Sequence, residues 1–170
     1  MPKGLKDTSA IIVISSSVTE SAANTFTTAK IDLQLNPLDQ EVFVVLAVDI
    51  DVQPPSIPLA PGQNVTACSM STTARTTVAG LDASNVMAAK RLFNELAAPG
   101  EVATFEYTSS ESPNAMLDYI GIISTNDYFL NIEGAGNVLA KAANVRVWGY
   151  RARAESAIYA ALVNSEVLSA

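Results

Sequence analysis

Residues 41–55 read EVFVVLAVDIDVQPP. From Glu41 to Gln53 there is neither glycine nor proline, and valine and isoleucine dominate, which is the composition of a strand ended by Pro54 and Pro55. Successive side chains of a strand point to opposite faces. One set is Val42, Val44, Leu46, Val48, Ile50 and Val52, apolar throughout, and reads as the core face. The other is Glu41, Phe43, Val45, Ala47, Asp49, Asp51 and Gln53, apolar in its first half and polar in its second. Burying a Phe or Val side chain contributes roughly 1.5–3 kcal/mol, so Phe43, Val45 and Ala47 are expected to be covered. The cover is either a helix of this chain or a neighbouring subunit. Asp49 and Asp51 project the same way, roughly 6.6 Å apart. They read as a strand end facing water, or as part of a subunit-bridging cation site. Calcium takes 6–8 oxygens, so other loops or another subunit would supply the remainder.

Outward from this strand the period-two pattern continues. SAIIVISSSVTE (9–20), TFTTAKIDLQL (25–35), NVTACSMSTTART (64–76), EVATFEYTS (101–109), MLDYIGIIS (116–124), YFLNIEG (128–134) and NVRVWGYRARA (144–154) complete eight strands. NPLDQ (36–40) is a turn, and Pro54, Pro55, Pro58 and Pro61 make the connection after the central strand an extended loop. A polar Ser/Pro loop is expected up to Asn114. In LDASNVMAAKRLFNELAAPG (81–100), Val86, Ala89, Leu92, Phe93 and Leu96 recur at helical spacing. Ser84 or Asp82 can cap that helix, and Pro99-Gly100 ends it. Ala154, Ile158, Ala161, Leu162 and Leu168 predict a C-terminal helix.

Strands do not alternate with helices, so a parallel sheet is not expected. The expectation is one all-β domain over 1–170, an eight-stranded antiparallel jelly-roll sandwich. It carries a helix between strands four and five and a C-terminal helix, with 1–8 as an N-terminal arm and 154–170 as the tail. The short turn at Thr125–Asp127 argues the other way, because a short turn favours neighbouring strands of one sheet.

The chain has 170 residues, 49% hydrophobic and only 16% charged, with a net charge of −7. That balance does not suit a uniform phosphate-binding surface. Four basic residues, Lys141, Arg146, Arg151 and Arg153, fall close together. Arg151 and Arg153 share a face and can pair with carboxylates of this chain or of a neighbour. Trp148 and Tyr150 alternate with the arginines and read as core or interface. No apolar run reaches the roughly 20 residues that span a bilayer, and the expectation is a soluble protein.

Histidine is absent, which removes Ser-His-Asp and Cys-His chemistry and the commonest metal ligand. Cys68 stands alone, so neither an internal disulfide nor a multi-cysteine zinc site can form. DTSA (7–10) departs from the aspartic-protease loop at Ser9. EGAGNV (133–138) lacks the third glycine of a dinucleotide fingerprint and reads as a loop needing positive φ. Asn64-Val65-Thr66 fits a glycosylation pattern and reads as chance. The expectation is a protein that is not an enzyme and holds no cofactor, apart from calcium at a subunit interface.

Two segments, VFVVLAVDIDV (42–52) and NVRVWGYRARAESAIYAALV (144–163), look similar to segments of small coat proteins of marine viruses. The whole plan resembles single jelly-roll capsid proteins of icosahedral viruses. The resemblance implies self-assembly into a closed shell, location in a virion assembled in the host cytoplasm, and copies of itself and other virion proteins as partners. This chain departs from small RNA-virus coats in lacking a basic N-terminal arm, so contact with nucleic acid is expected to be indirect or weak. Few charges suit a product that is an interface. The alternative is a jelly-roll module that binds a carbohydrate or receptor, as in a spike or fibre head. On the assembly reading the interface residues are Phe43, Val45, Ala47, Arg151 and Arg153.

Overall fold

A computed structural model describes residues 4–108 and 117–168. The Ser/Pro loop at 110–114, the first three residues of the arm and the last two of the tail lie outside the described residues. Among the described residues the strands are β1 (Leu5–Asp7), β2 (Ile12–Thr19), β3 (Thr27–Asp32), β4 (Glu41–Val52), β5 (Gly62–Ser71), β6 (Val86–Ala98), β7 (Glu101–Thr108), β8 (Gly121–Ile123), β9 (Asp127–Ala135) and β10 (Ala142–Ala154). One helix, α1 (Ser156–Leu168), follows β10.

All pairings are antiparallel. The first sheet runs β1-β10-β4-β8, with β2 also on β10, and the second runs β3-β9-β5-β6-β7. β1 and β2 pair with successive lengths of β10 and act as one interrupted strand. With them counted as one, the first strand pairs with the last (β2·β10), the second with the penultimate (β3·β9), the third with β8, and the two middle strands, β5 and β6, with each other. That is a long hairpin rolled over on itself, the order of a jelly roll. β7 is an addition on the free side of β6. Val48, Ile50, Val52, Val145 and Val147 of the first sheet share one core with Cys68, Met70, Tyr128, Leu130 and Ile132 of the second.

The expected helix at 85–96 is instead strand β6. Its Ala, Lys, Leu and Glu residues favour helix, but β5 and β7 take up its backbone groups on both sides, and tertiary context overrides propensity. Both faces of β6 are partly covered, which hides the period-two alternation. Ala88 and Leu92 belong to the inter-sheet core. Phe93 stacks on Phe105, and Arg91 lies beside Gly80. Pro99-Gly100 is the tip of the β6–β7 hairpin, with Gly100 at φ +88°.

The two faces of β4 exchange roles half-way along. Ala47 pairs with Trp148, but the next residue of β10, Gly149, pairs with Val45, so Leu46 is the extra residue of a bulge. Beyond it, Val48, Ile50 and Val52 face the core and Asp49 and Asp51 face out. Before it, Phe43 and Val45 face the core, both with no exposed surface. Val42 and Val44 lie on the outer face beneath α1, clustered with Ala152, Ala154, Ile158, Tyr159 and Leu162. The unbroken core face expected from alternation is therefore two half-faces. A Cβ at Gly149 would fall 2.5 Å from two ring carbons of Phe43. The bare backbone at the bulge is the space the ring occupies.

The short turn after β8 joins strands of opposite sheets. Ser124, Thr125 and Asn126 carry the chain from the first sheet to the second. Glu166 of α1 accepts from Ser124 N, Ser124 Oγ and Thr125 N at 3.0, 2.5 and 2.8 Å. Asn126 accepts from Leu33 N through its carbonyl and from Leu35 N through Oδ1. Three residues suffice because both of their flanks are held.

Candidate interaction surfaces

Asp49 and Asp51 stand exposed on the outer face of the first sheet. Asp49 is paired across the strands with Arg146, and Arg146 with Ser15. Asp51 is paired with Asn144, and Asn144 with Ser17. These six residues line a shallow open depression of about 550 Å³. The Arg146 guanidinium lies 5.8 Å from the centre of the Trp148 ring. Among the described residues no group of three or more His, Cys, Asp or Glu side chains is placed to hold a metal ion.

Phe43 and Val45 do not reach a surface, because the bulge turns them into the core. Ala47 is half-buried beside Trp148. Arg151 donates from Nη2 to Leu33 O at 2.9 Å. Arg153 donates from Nε to Asp39 O at 3.0 Å and forms an ion pair with the Asp39 carboxylate. The two arginines do share a side, as alternation predicts, and tie β10 to the connection between β3 and β4. The Arg153–Asp39 pair is half exposed, so its contribution is at most about 1 kcal/mol.

The end of the sandwich near the 53–61 loop carries a surface that strand periodicity could not reveal. Asn137 is buried. Its Oδ1 accepts from Ser56 N at 2.8 Å, its Nδ2 donates to Val65 O, and its backbone bonds both ends of the Asn24 side chain. Asn64 donates to Ser56 O, and Glu20 accepts from Gly134 N and Lys141 N. This network binds three connections together. On it stand Ile57, Leu59, Val138 and Leu139, exposed by 58, 96, 70 and 71%. The signal was present as apolar residues inside loops, IPLAP and NVL. The same network explains two motifs. Asn64 is buried and bonded rather than available for glycosylation, and Gly136 sits at φ +74° against Asn64, as a loop glycine.

An aromatic group, also hidden from strand periodicity, lies on the outer face of β6 and β7. Phe93 and Phe105 stack at 5.0 Å, and Tyr107 meets both edge-on at 5.2 and 6.2 Å. Elsewhere, burial pushes the Cys68 thiol up to about 12, which keeps it protonated and inert. Burial also raises the Glu166 carboxyl above its ordinary value, against the opposing hydrogen bonds from Ser124 and Thr125. In the described residues no helix is long and apolar enough to cross a membrane.

No family model matches the chain, and no curated protein matches it. Among solved structures it is similar to Merkel cell polyomavirus VP1, an unassembled pentamer, with TM-score 0.41 and 6% identity over 85% of this chain and 96% of that one. It is similar to chimpanzee polyomavirus VP1 with TM-score 0.43 and 6% identity, covering 89% of this chain and 98% of the other. VP1 of trichodysplasia spinulosa-associated polyomavirus, in complex with GM1 oligosaccharide, gives TM-score 0.38 and 8% identity over 88 and 97% of the two chains. The jelly-roll assignment itself rests on the strand order.

Proposed function

We propose that this chain is a structural subunit that associates with copies of itself into a closed shell, as the coat protein of an icosahedral virus particle, without enzymatic activity. The observation that carries the reading is the set of four exposed aliphatic side chains, Ile57, Leu59, Val138 and Leu139, on loops fixed by buried asparagines. A fixed apolar surface suits an interface, and closed symmetric assembly would cover it. The low charge content points the same way. With a net charge of −7, contact with a genome would be indirect. In such a shell Asp49 and Asp51 would face a neighbouring molecule, and a calcium ion between copies would take its remaining oxygens from that neighbour.

Light scattering on a sizing column with negative-stain microscopy tests the reading. Closed particles of uniform size are expected. A strict monomer at every salt and divalent-ion concentration sinks it.

One observation favours a second reading, a carbohydrate-binding module. The depression on the first sheet gathers Asp49, Asp51, Asn144, Ser15, Ser17 and Arg146, the directional polar groups that a saccharide needs. A clear hit on a glycan array with a monomeric protein would decide for it.

A further inference from the structure

Two independent features meet at one edge of the second sheet. The first is a strand at the end of the sheet. Among the described residues β7 pairs only with β6. Strand β8 lies over β6, since a Cβ on Gly121 would meet the Met87 side chain. β7 therefore stands one strand beyond the first sheet, and seven of its eight residues are exposed. The other edges are guarded. β8 is three residues long, β1 and β2 are interrupted, and β3 curls against β2. β7 runs eight residues without proline or a break of its own, and a strand of that kind is a template for another strand. The second feature is the aromatic trio, which reaches this same edge with Tyr107 exposed by 65%.

We propose that β7 pairs antiparallel with β7 of a second copy, about a two-fold axis at Phe105. This rests on the self-association reading and names the edge that makes one of its contacts. Opposed residues of an antiparallel pair point to the same side, so the aromatic face of one copy must meet the aromatic face of the other. Centring on Phe105 sets the two Phe105 rings opposite each other and Ala103 opposite Tyr107, which joins the two trios into one cluster. On the other face Thr104 meets Glu106, so no like charges oppose. A register centred on Thr104 instead sets Phe105 against Ala103 and Tyr107 against Glu101, and leaves the trios apart. Copy-to-copy pairing at this edge is isologous, so it closes on itself.

Cysteine cross-linking of the full chain tests the register, with buried Cys68 silent as the background thiol. Phe105→Cys is expected to give a covalent dimer on mild oxidation, because the two Cβ atoms would lie within disulfide range. Ala103→Cys is expected to give none. The double variant Ala103→Cys/Tyr107→Cys keeps Phe105 and its stacking, and is expected to cross-link where either single change does not. Equal cross-linking by F105C and A103C would mean random collision and overturn the proposal. Failure of both F105C and the double variant would also overturn it, as it would if the edge takes a strand of a different protein. Microscopy of the unmodified chain is read separately. Particles without cross-links discard the β7 pairing and keep assembly, whereas cross-linked dimers without particles keep the pairing and discard the shell.

Discussion

The carboxylate of Glu166 receives both the backbone N–H and the hydroxyl of Ser124, at 3.0 and 2.5 Å. With the N–H of Thr125 it takes up the donors that a three-residue crossing between sheets leaves without ladder partners. Removing the acceptor strands buried donors at a cost of about 1–3 kcal/mol. Glu166→Ala should lower the unfolding free energy measured in urea by that amount, with the sheet spectrum preserved. An unchanged free energy would mean that the crossing holds itself.

The same carboxyl sets a pH dependence. Burial raises its folded pKa above the ordinary 4.5. The folded state then binds the proton more tightly than the unfolded chain, so the contribution is complete below 4.5 and fades as pH rises through the folded value. Glu166→Gln should flatten that part of the stability profile. A Glu166-dependent term that grows with pH contradicts the assignment.

Gly149→Ala should be destabilising, because its Cβ would meet the Phe43 ring and the Val44 carbonyl. Overpacking of this kind costs about 1–3 kcal/mol. Shortening the ring in the same chain, Phe43→Leu, should recover part of the loss, which a double-mutant cycle in urea measures. Strict additivity would show that the two sites are not in contact.

Leu59→Asp and Leu139→Asp separate assembly from folding. Both side chains are exposed, by 96 and 71%, so the change in stability should stay within about 0.5 kcal/mol. Particle yield should nevertheless collapse. Variants that assemble normally would move the interface away from these loops.

A calcium ion shared through Asp49 and Asp51 predicts that a chelator loosens the assembled form and that Asp49→Asn/Asp51→Asn is indifferent to chelation. Equal chelator sensitivity in both proteins would place the ion elsewhere.

Much of the fold was legible in residue order. The Val and Ile run of β4, the Asp32/Ile31 alternation of β3 and the proline loop after Val52 each described local physics, and local physics decided those elements. The crossing at Ser124 was not legible, because its partner Glu166 lies far along the chain in a helix whose own periodicity gives no hint of it. The exchange of faces on β4 was hidden for another reason. A bulge changes the parity of every later residue, yet Leu46 looks like any strand residue until Gly149 is set opposite its neighbour. The site residues followed. Asp49 and Asp51 lie beyond the bulge and point out, while Phe43 and Val45 lie before it and point in. Strand β6 was not legible as a strand because its Ala, Lys, Leu and Glu residues favour helix and its two partly covered faces hide the alternation.

The rolled hairpin also orders events in time. Its innermost pair, β5 with β6, joins Ser71 to Val86, whereas its outermost joins Leu5 to Ala154. Closing a longer loop costs more chain entropy, and non-local pairing slows folding. The β5–β6–β7 meander is therefore the natural nucleus, and β10 is the strand that locks the first sheet by filling the place between β2 and β4. Until β10 arrives, both of those strands are unpaired on that side. A nascent chain stalled short of residue 142 would present two sticky edges at once, so its passage to the native state depends on β10 arriving before another molecule does.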